Sequence, residues 1–384
     1  MKYRQHRDWR ISEIGFGCYG LSGAYGTVDK NAYTDTVWAA YEQGINFFDT
    51  AQGYGDAETF LGKAVAPFRD QVFIATKLSG ESGKPDLSTA SVRHACETSL
   101  KRLNTDVIDL YQVHFDDPDT PVLETIAAME SLVEDGKIRK YGLCHLSLSR
   151  VRTYAEYGDP FSVLMELSPV ARSSTQTLIP VCEKHDMAVF AFSVTGRGIL
   201  TGRYASDHVF DTGDIRRMDP LFKRERFESS IRIQEYMSGM STRYGKTAVQ
   251  MGIAWVLAQP QVVCALTGTS SPDHLTENTA ACQITLNQGD LQAMNRFLAE
   301  EEKRLAVEQR KTIRQLLTQP LADEPEQAFN DLVYILETAI MVGEVEEHDV
   351  IAAFRELFTL RQTQDSDAMR KMQGIQAYLR DMIV

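Results

Sequence analysis

The chain has 384 residues, 43% of them hydrophobic and 24% charged, and a formal net charge of −13. That length suits one barrel of about 250–300 residues plus an appendage, with a core large enough to stand without staples. The acidic balance disfavours a phosphate-backbone partner, and no run approaches the ~20 apolar residues of a membrane span.

The opening Met1-Lys2-Tyr3-Arg4-Gln5-His6-Arg7 leads to no apolar h-region, so no signal peptide is expected. Ile11-Ser12-Glu13-Ile14-Gly15-Phe16-Gly17 reads as a hairpin and first strand. Extended apolar runs follow at about 46–49, 72–76, 107–113, 138–143, 162–167, 187–192 and 262–266. Helical spacing fills 30–43, 88–102, 121–135, 174–185 and 245–258. Short buried-type strands alternating with helices predict an α/β protein with a parallel sheet. Eight such strands fit a closed (β/α)8 TIM barrel better than an open sheet, and no G-x-G-x-x-G follows the first strand. The connection 195–226 is long, rich in Gly, Asp and basic residues, and follows the seventh strand, where barrels often bind phosphate.

From about Gln315 the pattern turns helical, with Phe329, Leu332, Val333, Leu336 and Ile340 spaced for one face. Further helices are expected at about 347–361 and 366–383, with Gly343 and 344–349 as a turn. Residues 315–384 hold 13 acids against 5 bases. We therefore divide the chain into a barrel, 1–314, and an acidic helical extension, 315–384. The extension is open to three roles: a packed cap, a partner-binding or oligomerisation module, or a lid over the substrate.

The six cysteines, Cys18, Cys96, Cys144, Cys182, Cys264 and Cys282, form no C-x-x-C pair. They predict a reduced, cytoplasmic protein. The eight histidines make no H-x-H or H-E-x-x-H pattern, so no metal site is expected.

Asp49 and Tyr54, then Lys77, then His114 come in order from three successive β-α units. A parallel barrel gathers such strand ends around one rim. Tyr54 is a suitable proton donor if a nearby Lys77 ammonium lowers its pKa. Asp49 can hold Lys77, and a neutral His114 can orient a carbonyl oxygen. None of the four carries a hydride, so a cofactor must.

These residues resemble the catalytic tetrad of the aldo-keto reductases. Asp49-Thr50-Ala51-Gln52-Gly53-Tyr54-Gly55 with Glu58 and Leu61-Gly62 is similar to a signature of that family, as is the run from Leu103 to His114. The likeness covers roughly residues 1–305 and is strongest to the potassium-channel β-subunit-like and bacterial branch. It implies NADPH lying extended across the barrel mouth, with NADH as second choice, and Tyr54 as general acid. It places Gly17, Cys18, Tyr19, Asp49, Phe192 and Ser193 in the cofactor site. Gly196, Arg197, Gly198 and Leu200 belong to a segment similar to the one that folds over the pyrophosphate. Arg203 and, beyond it, Arg224 would meet a phosphate. Gly268, Ser270, His274, Glu277 and Asn278 would sit at the adenosine end.

Four positions depart from the family. Cys144-His145 replaces the Ser-Asn that bonds the nicotinamide carboxamide, Leu164 replaces a Gln with the same duty, and Phe192 replaces a stacking Tyr. Phe192 can still stack, and His145 can stand in for Asn. Gly268 stands where other branches have a lysine for the 2′-phosphate, which Arg203 and His274 partly offset. The expected function is NADPH-dependent reduction of aldehydes or ketones; the alternative is an NADP(H)-binding redox-sensing or regulatory subunit. Tyr19, Tyr25 and Phe115 suggest an apolar or aromatic carbonyl. Nucleic acid and membrane partners are not expected, while self-association or a protein partner for the C-terminal helices stays open.

Overall fold

A computed structural model describes residues 1–78, 84–205, 207–363 and 367–384. Strands β1 (Tyr3–His6) and β2 (Trp9–Ser12) pair antiparallel, with Arg7 at φ 48° in their turn. Eight more close a parallel barrel: β3 (Ile14–Gly17), β4 (Phe47–Asp49), β5 (Phe73–Leu78), β6 (Ile108–Val113), β7 (Ile138–Cys144), β8 (Ser162–Glu166), β9 (Ala188–Phe192) and β10 (Val262–Thr267), the last pairing with β3. The helices around it are α1 (Lys30–Glu42), α2 (Ala57–Val65), α3 (Thr89–Leu103), α4 (Val122–Glu134), α5 (Leu148–Tyr157), α6 (Leu178–Lys184), α7 (Arg224–Tyr244), α8 (Ala248–Leu257) and α9 (Pro272–Thr279).

The barrel strands are buried on both faces, which is why they read as continuous apolar runs rather than alternating ones. The hairpin serves the end of the barrel away from the site. Trp9 stacks on Phe73, at the start of β5, with ring centroids 4.5 Å apart, and lies 4.6 Å from Phe161, just before β8. Above them Phe47 and Phe190 stack at 4.4 Å. Together with Ile11, Ala75, Leu110, Leu164 and Cys264 they fill the barrel's interior.

Several residues of the recognised segments are architectural. Glu58, fully buried, accepts a 2.7 Å bond from Thr76 and pairs with Arg102 at 3.3 Å, tying α2 to β5 and α3. A Cβ at Gly62 would lie 2.2 Å from the Leu103 carbonyl oxygen, so the close approach of α2 and α3 demands glycine there. Asp109, also buried, pairs with Arg69 at 2.7 Å and Arg139 at 3.2 Å and accepts from the Ile74 N–H, locking β5 to β6. The charge-assisted bonds offset its burial.

The chain divides into Met1–Met294 and Asn295–Val384. That division and the sequence boundary at 314/315 both lie inside one continuous helix, α10 (Gln288–Thr318). No Gly or Pro interrupts helical spacing between Gly289 and Pro320, so nothing breaks the backbone where composition changes. The second unit adds α11 (Pro325–Met341), α12 (Glu347–Thr363) and α13 (Ala368–Ile383). The helix expected from about Gln315 is divided: α10 ends at Thr318 and α11 starts at Pro325, at an N1 position that suits proline. The expected start of the last helix, residue 366, lies outside the described residues. Ile313, Leu317, Phe329, Leu332, Leu336, Val350, Leu357 and Leu379 form this unit's own core. Gln376 donates to the Leu316 and Gln319 carbonyls at 2.8 and 2.9 Å, satisfying the end of α10.

Candidate active site

The C-terminal strand ends enclose a cavity of about 1160 Å³. Asp49 ends β4 and Lys77 lies near the end of β5, so neighbouring strands deliver the two groups side by side. Lys77 Nζ donates to Asp49 Oδ1 at 2.8 Å, to Oδ2 at 2.7 Å and to the Thr50 carbonyl at 2.7 Å. Lys77 is 1% exposed and Asp49 5%. Burial works against the Lys77 ammonium, but Asp49 outweighs it and holds its pKa above the usual lysine range. For the carboxyl, burial pushes up and Lys77 pulls down.

Tyr54 is set by the chain after β4. Thr50 N–H bonds the Ala75 carbonyl at 2.9 Å and Gln52 N–H the Lys77 carbonyl at 3.1 Å, so pairing with β5 continues past the strand. Tyr54 N–H then turns back to the Ala51 carbonyl, and Gly55 takes φ 64°. The result puts Lys77 Nζ 5.1 Å from the Tyr54 ring centre. The His114 ring, just beyond β6, lies 5.9 Å from the Tyr54 ring. All four tetrad candidates line the cavity.

Burial pushes the Tyr54 hydroxyl well above the ordinary phenol range, with Lys77 pulling the other way. The sequence expectation was a lowered value. The sign of the Lys77 effect is as expected, but its charge is shared with Asp49, so desolvation wins. Tyr54 is thus a neutral phenol. Burial, Lys77 and His145 hold the His114 pKa down to about 2, so that ring is neutral too.

Both departures after β7 reach the cavity. In a continuing strand Cys144 and His145 would point to opposite faces. His145 takes φ 40°, which breaks the alternation, and both side chains line the cavity. Burial raises the Cys144 thiol to about 12, while burial, Lys77 and Arg197 lower His145 to about 4. His145 stacks on Phe115 at 5.3 Å and lies 5.3 Å from the Phe192 ring. Ser193, at φ 54°, makes the same break after β9, and Leu164 faces the cavity as well.

The cavity continues past Gly198, Leu200, Arg203, Gly268, His274, Glu277 and Asn278, and Gly17 and Tyr19 also line it. Arg203 Nη2 lies 3.4 Å from His274 Nε2, and among the described residues Arg203 has no carboxylate partner. Arg197 differs: it pairs with Glu166 at 3.1 Å and with Asp219, and is committed to them. Cys18, Gly196, Arg224 and Ser270 do not line the cavity. Cys18 is buried, and its N–H bonds the Asp49 carbonyl at 2.8 Å, fixing the strand end. Gly196, at φ 60°, turns the chain into the segment that does line it; Arg224 starts α7, and Ser270 is an exposed loop residue before α9.

The long connection after β9 contains short turns at Ile199–Thr201, Ile215–Arg217 and Pro220–Phe222. Ile215 N–H bonds the Ala24 carbonyl at 2.8 Å, and the Arg216 guanidinium lies 5.3 Å from both the Tyr25 and Tyr204 ring centres. The connection thus meets the loop after β3, and Ile215, Arg216, Tyr25 and Tyr204 all line the cavity. Tyr204 closes the segment likened to the pyrophosphate cover; sequence reasoning missed Arg216 and the α7 residues Gln234, Ser238 and Ser241. The basic, glycine-rich composition of the connection was a signal for Arg216; nothing in α7's spacing marks the others.

The family model described as the aldo/keto reductase family matches residues 13–299. The chain is 32% identical over 310 residues to aldo-keto reductase YhdN of Bacillus subtilis, covering 78% of this chain and 94% of that one. It is 31% identical over 320 residues to an NADH-specific methylglyoxal reductase of Escherichia coli, covering 77% and 97%. An aldo-keto reductase from Klebsiella pneumoniae solved with NADPH shares 26% identity at a TM-score of 0.63, covering 78% and 96%.

Proposed function

The chain belongs to the aldo/keto reductase family, and from that premise we propose that it reduces aldehydes or ketones with NADPH, using Tyr54 as the proton donor. The observation that carries this reading is the Tyr54, His114 and Lys77–Asp49 arrangement in one cavity. Tyr54 gives its phenolic proton to the oxygen as negative charge develops there. The neutral His114 ring hydrogen-bonds the same oxygen and sets its angle. The Lys77 ammonium stabilises the phenolate left behind, and Asp49 keeps Lys77 charged and in place. Proton transfer by a positioned group contributes about 100- to 10,000-fold. Lining residues such as Tyr19, Tyr25 and Phe115 favour an apolar or aromatic substrate and exclude water.

The donor set fits a dinucleotide. Phe192 offers a ring face to the nicotinamide and His145 a bonding group to its carboxamide. Arg203 beside His274, with no carboxylate partner among the described residues, suits the adenosine phosphate. Bound there, the cofactor would supply the hydride. The named relatives include one specific for NADH and one solved with NADPH; the Arg203–His274 pair inclines this chain to NADPH. All six cysteines are free, which supports a reducing compartment. Among the described residues no helix is long and apolar enough to cross a membrane.

Leu164 in the cavity, where a carboxamide partner is usual, favours a second reading: a binding subunit that oxidises its cofactor once and reports it. Following NADPH absorbance with excess aromatic aldehyde separates the two. Many turnovers per chain support the reductase. A single turnover, or binding without oxidation, supports the sensor.

A further inference from the structure

The side chains of His114, Cys144 and His145 come from the ends of two neighbouring strands. Their ligating atoms all lie within 4.8 Å of one another. From this we propose that the three side chains form a zinc-binding site in the wall of the cavity, with its fourth position open to water. Two imidazoles and a thiolate are a donor set that zinc takes readily, and three protein ligands with one open position are the pattern of accessible zinc sites. Around a tetrahedral zinc such atoms stand roughly 3.3–3.6 Å apart, given Zn–N of about 2.0–2.1 Å and Zn–S of about 2.3 Å. The change needed is small. His145 is exposed to the cavity and stacks on Phe115 at 5.3 Å, less closely than His114, which stacks on the same ring at 4.2 Å, so His145 is the member to turn.

The positive φ at His145 creates this cluster by turning it to the same side as Cys144. On uptake the Cys144 thiol loses its proton to solvent as the zinc–sulfur bond forms. Lys77 bears on all three groups, but its charge is answered by Asp49 at 2.7 Å. Zinc bound here would occupy the place of the carbonyl oxygen beside His114, making it an inhibitor under the reductase reading. The site itself does not depend on that reading.

The test is a titration of the full-length protein with Co²⁺, a spectroscopic stand-in for zinc, followed by absorbance. The expected result is one cobalt per chain with a thiolate charge-transfer band, displaced by Zn²⁺. The band disappears in Cys144→Ser, and affinity falls at least about tenfold in His145→Asn, since even outer partners of a ligand cost 10- to 100-fold. Asparagine tolerates the left-handed backbone at this position, so His145→Asn tests the site even if Cys144→Ser does not fold. No cobalt uptake by the wild type, a band that survives Cys144→Ser, or unchanged affinity in His145→Asn would overturn the proposal. Because the readout is cobalt binding, its failure leaves the reductase reading standing, and an inactive protein leaves the zinc site open to the same test.

Discussion

The Asp49–Lys77 pair carries the largest electrostatic stake in the cavity, because both partners are buried and each answers the other. Replacing Lys77 by Met leaves the carboxylate without its cation. A loss of about 3–5 kcal/mol in unfolding free energy is expected, read by denaturant titration; a variant as stable as wild type would contradict the pairing. The histidines give a pH signature. His114 is held down to about 2 and His145 to about 4, whereas in the unfolded chain both take up protons near pH 6.5. The unfolded state therefore binds more protons as pH falls below about 6.5, and stability drops from there downward. Thermal melts at about pH 7.5 and pH 5 check the direction, and a melting temperature that rises on acidification would refute it. At the same time, kcat/KM should show no histidine step near pH 6.5, since neither ring charges there. His145→Ala should weaken NADPH binding by about 1–3 kcal/mol, read by fluorescence titration, if His145 bonds the carboxamide. Unchanged affinity would dismiss that role.

Strands were the legible elements. Each barrel strand lies within two residues of its apolar run, because burial on both faces leaves a continuous hydrophobic signal. The helices α2, α5, α7, α9 and most of α10 carry weaker signals. α2 and α9 are short, α5 and α7 are largely polar, and α10 begins before the change of composition at about Gln315. The convergence of Asp49, Tyr54, Lys77 and His114 was legible because they end or follow consecutive strands, and the topology brings them together. The meeting of Tyr54 with Tyr19, 5.0 Å away on another loop, was not legible. Nor was the meeting of His114 with Cys144 and His145, which rests on one backbone angle. The recognised Gly62 has a mechanical meaning. Gly62→Ala would drive a methyl into the Leu103 carbonyl and should cost about 1–3 kcal/mol, lowering the melting temperature. An unshifted melt would show that α2 can retreat.

Among the described residues, those that line the cavity all lie between Gly17 and Asn278, within Met1–Met294. The acidic second unit has a core of its own, centred on residues such as Leu332, which is fully buried. Leu332→Ala should destabilise Asn295–Val384 by about 2–5 kcal/mol, read as faster proteolysis there. kcat/KM should survive that change; its loss would assign the helices a part in catalysis. The central claim is that this family member turns over carbonyls through Tyr54. Its most direct test is steady-state NADPH oxidation with an aromatic aldehyde, comparing wild type with Tyr54→Phe while measuring NADPH affinity in both. The expected result is sustained turnover in the wild type, a loss of about 100-fold or more in the variant, and similar cofactor affinity. Equal turnover in the two proteins would contradict it.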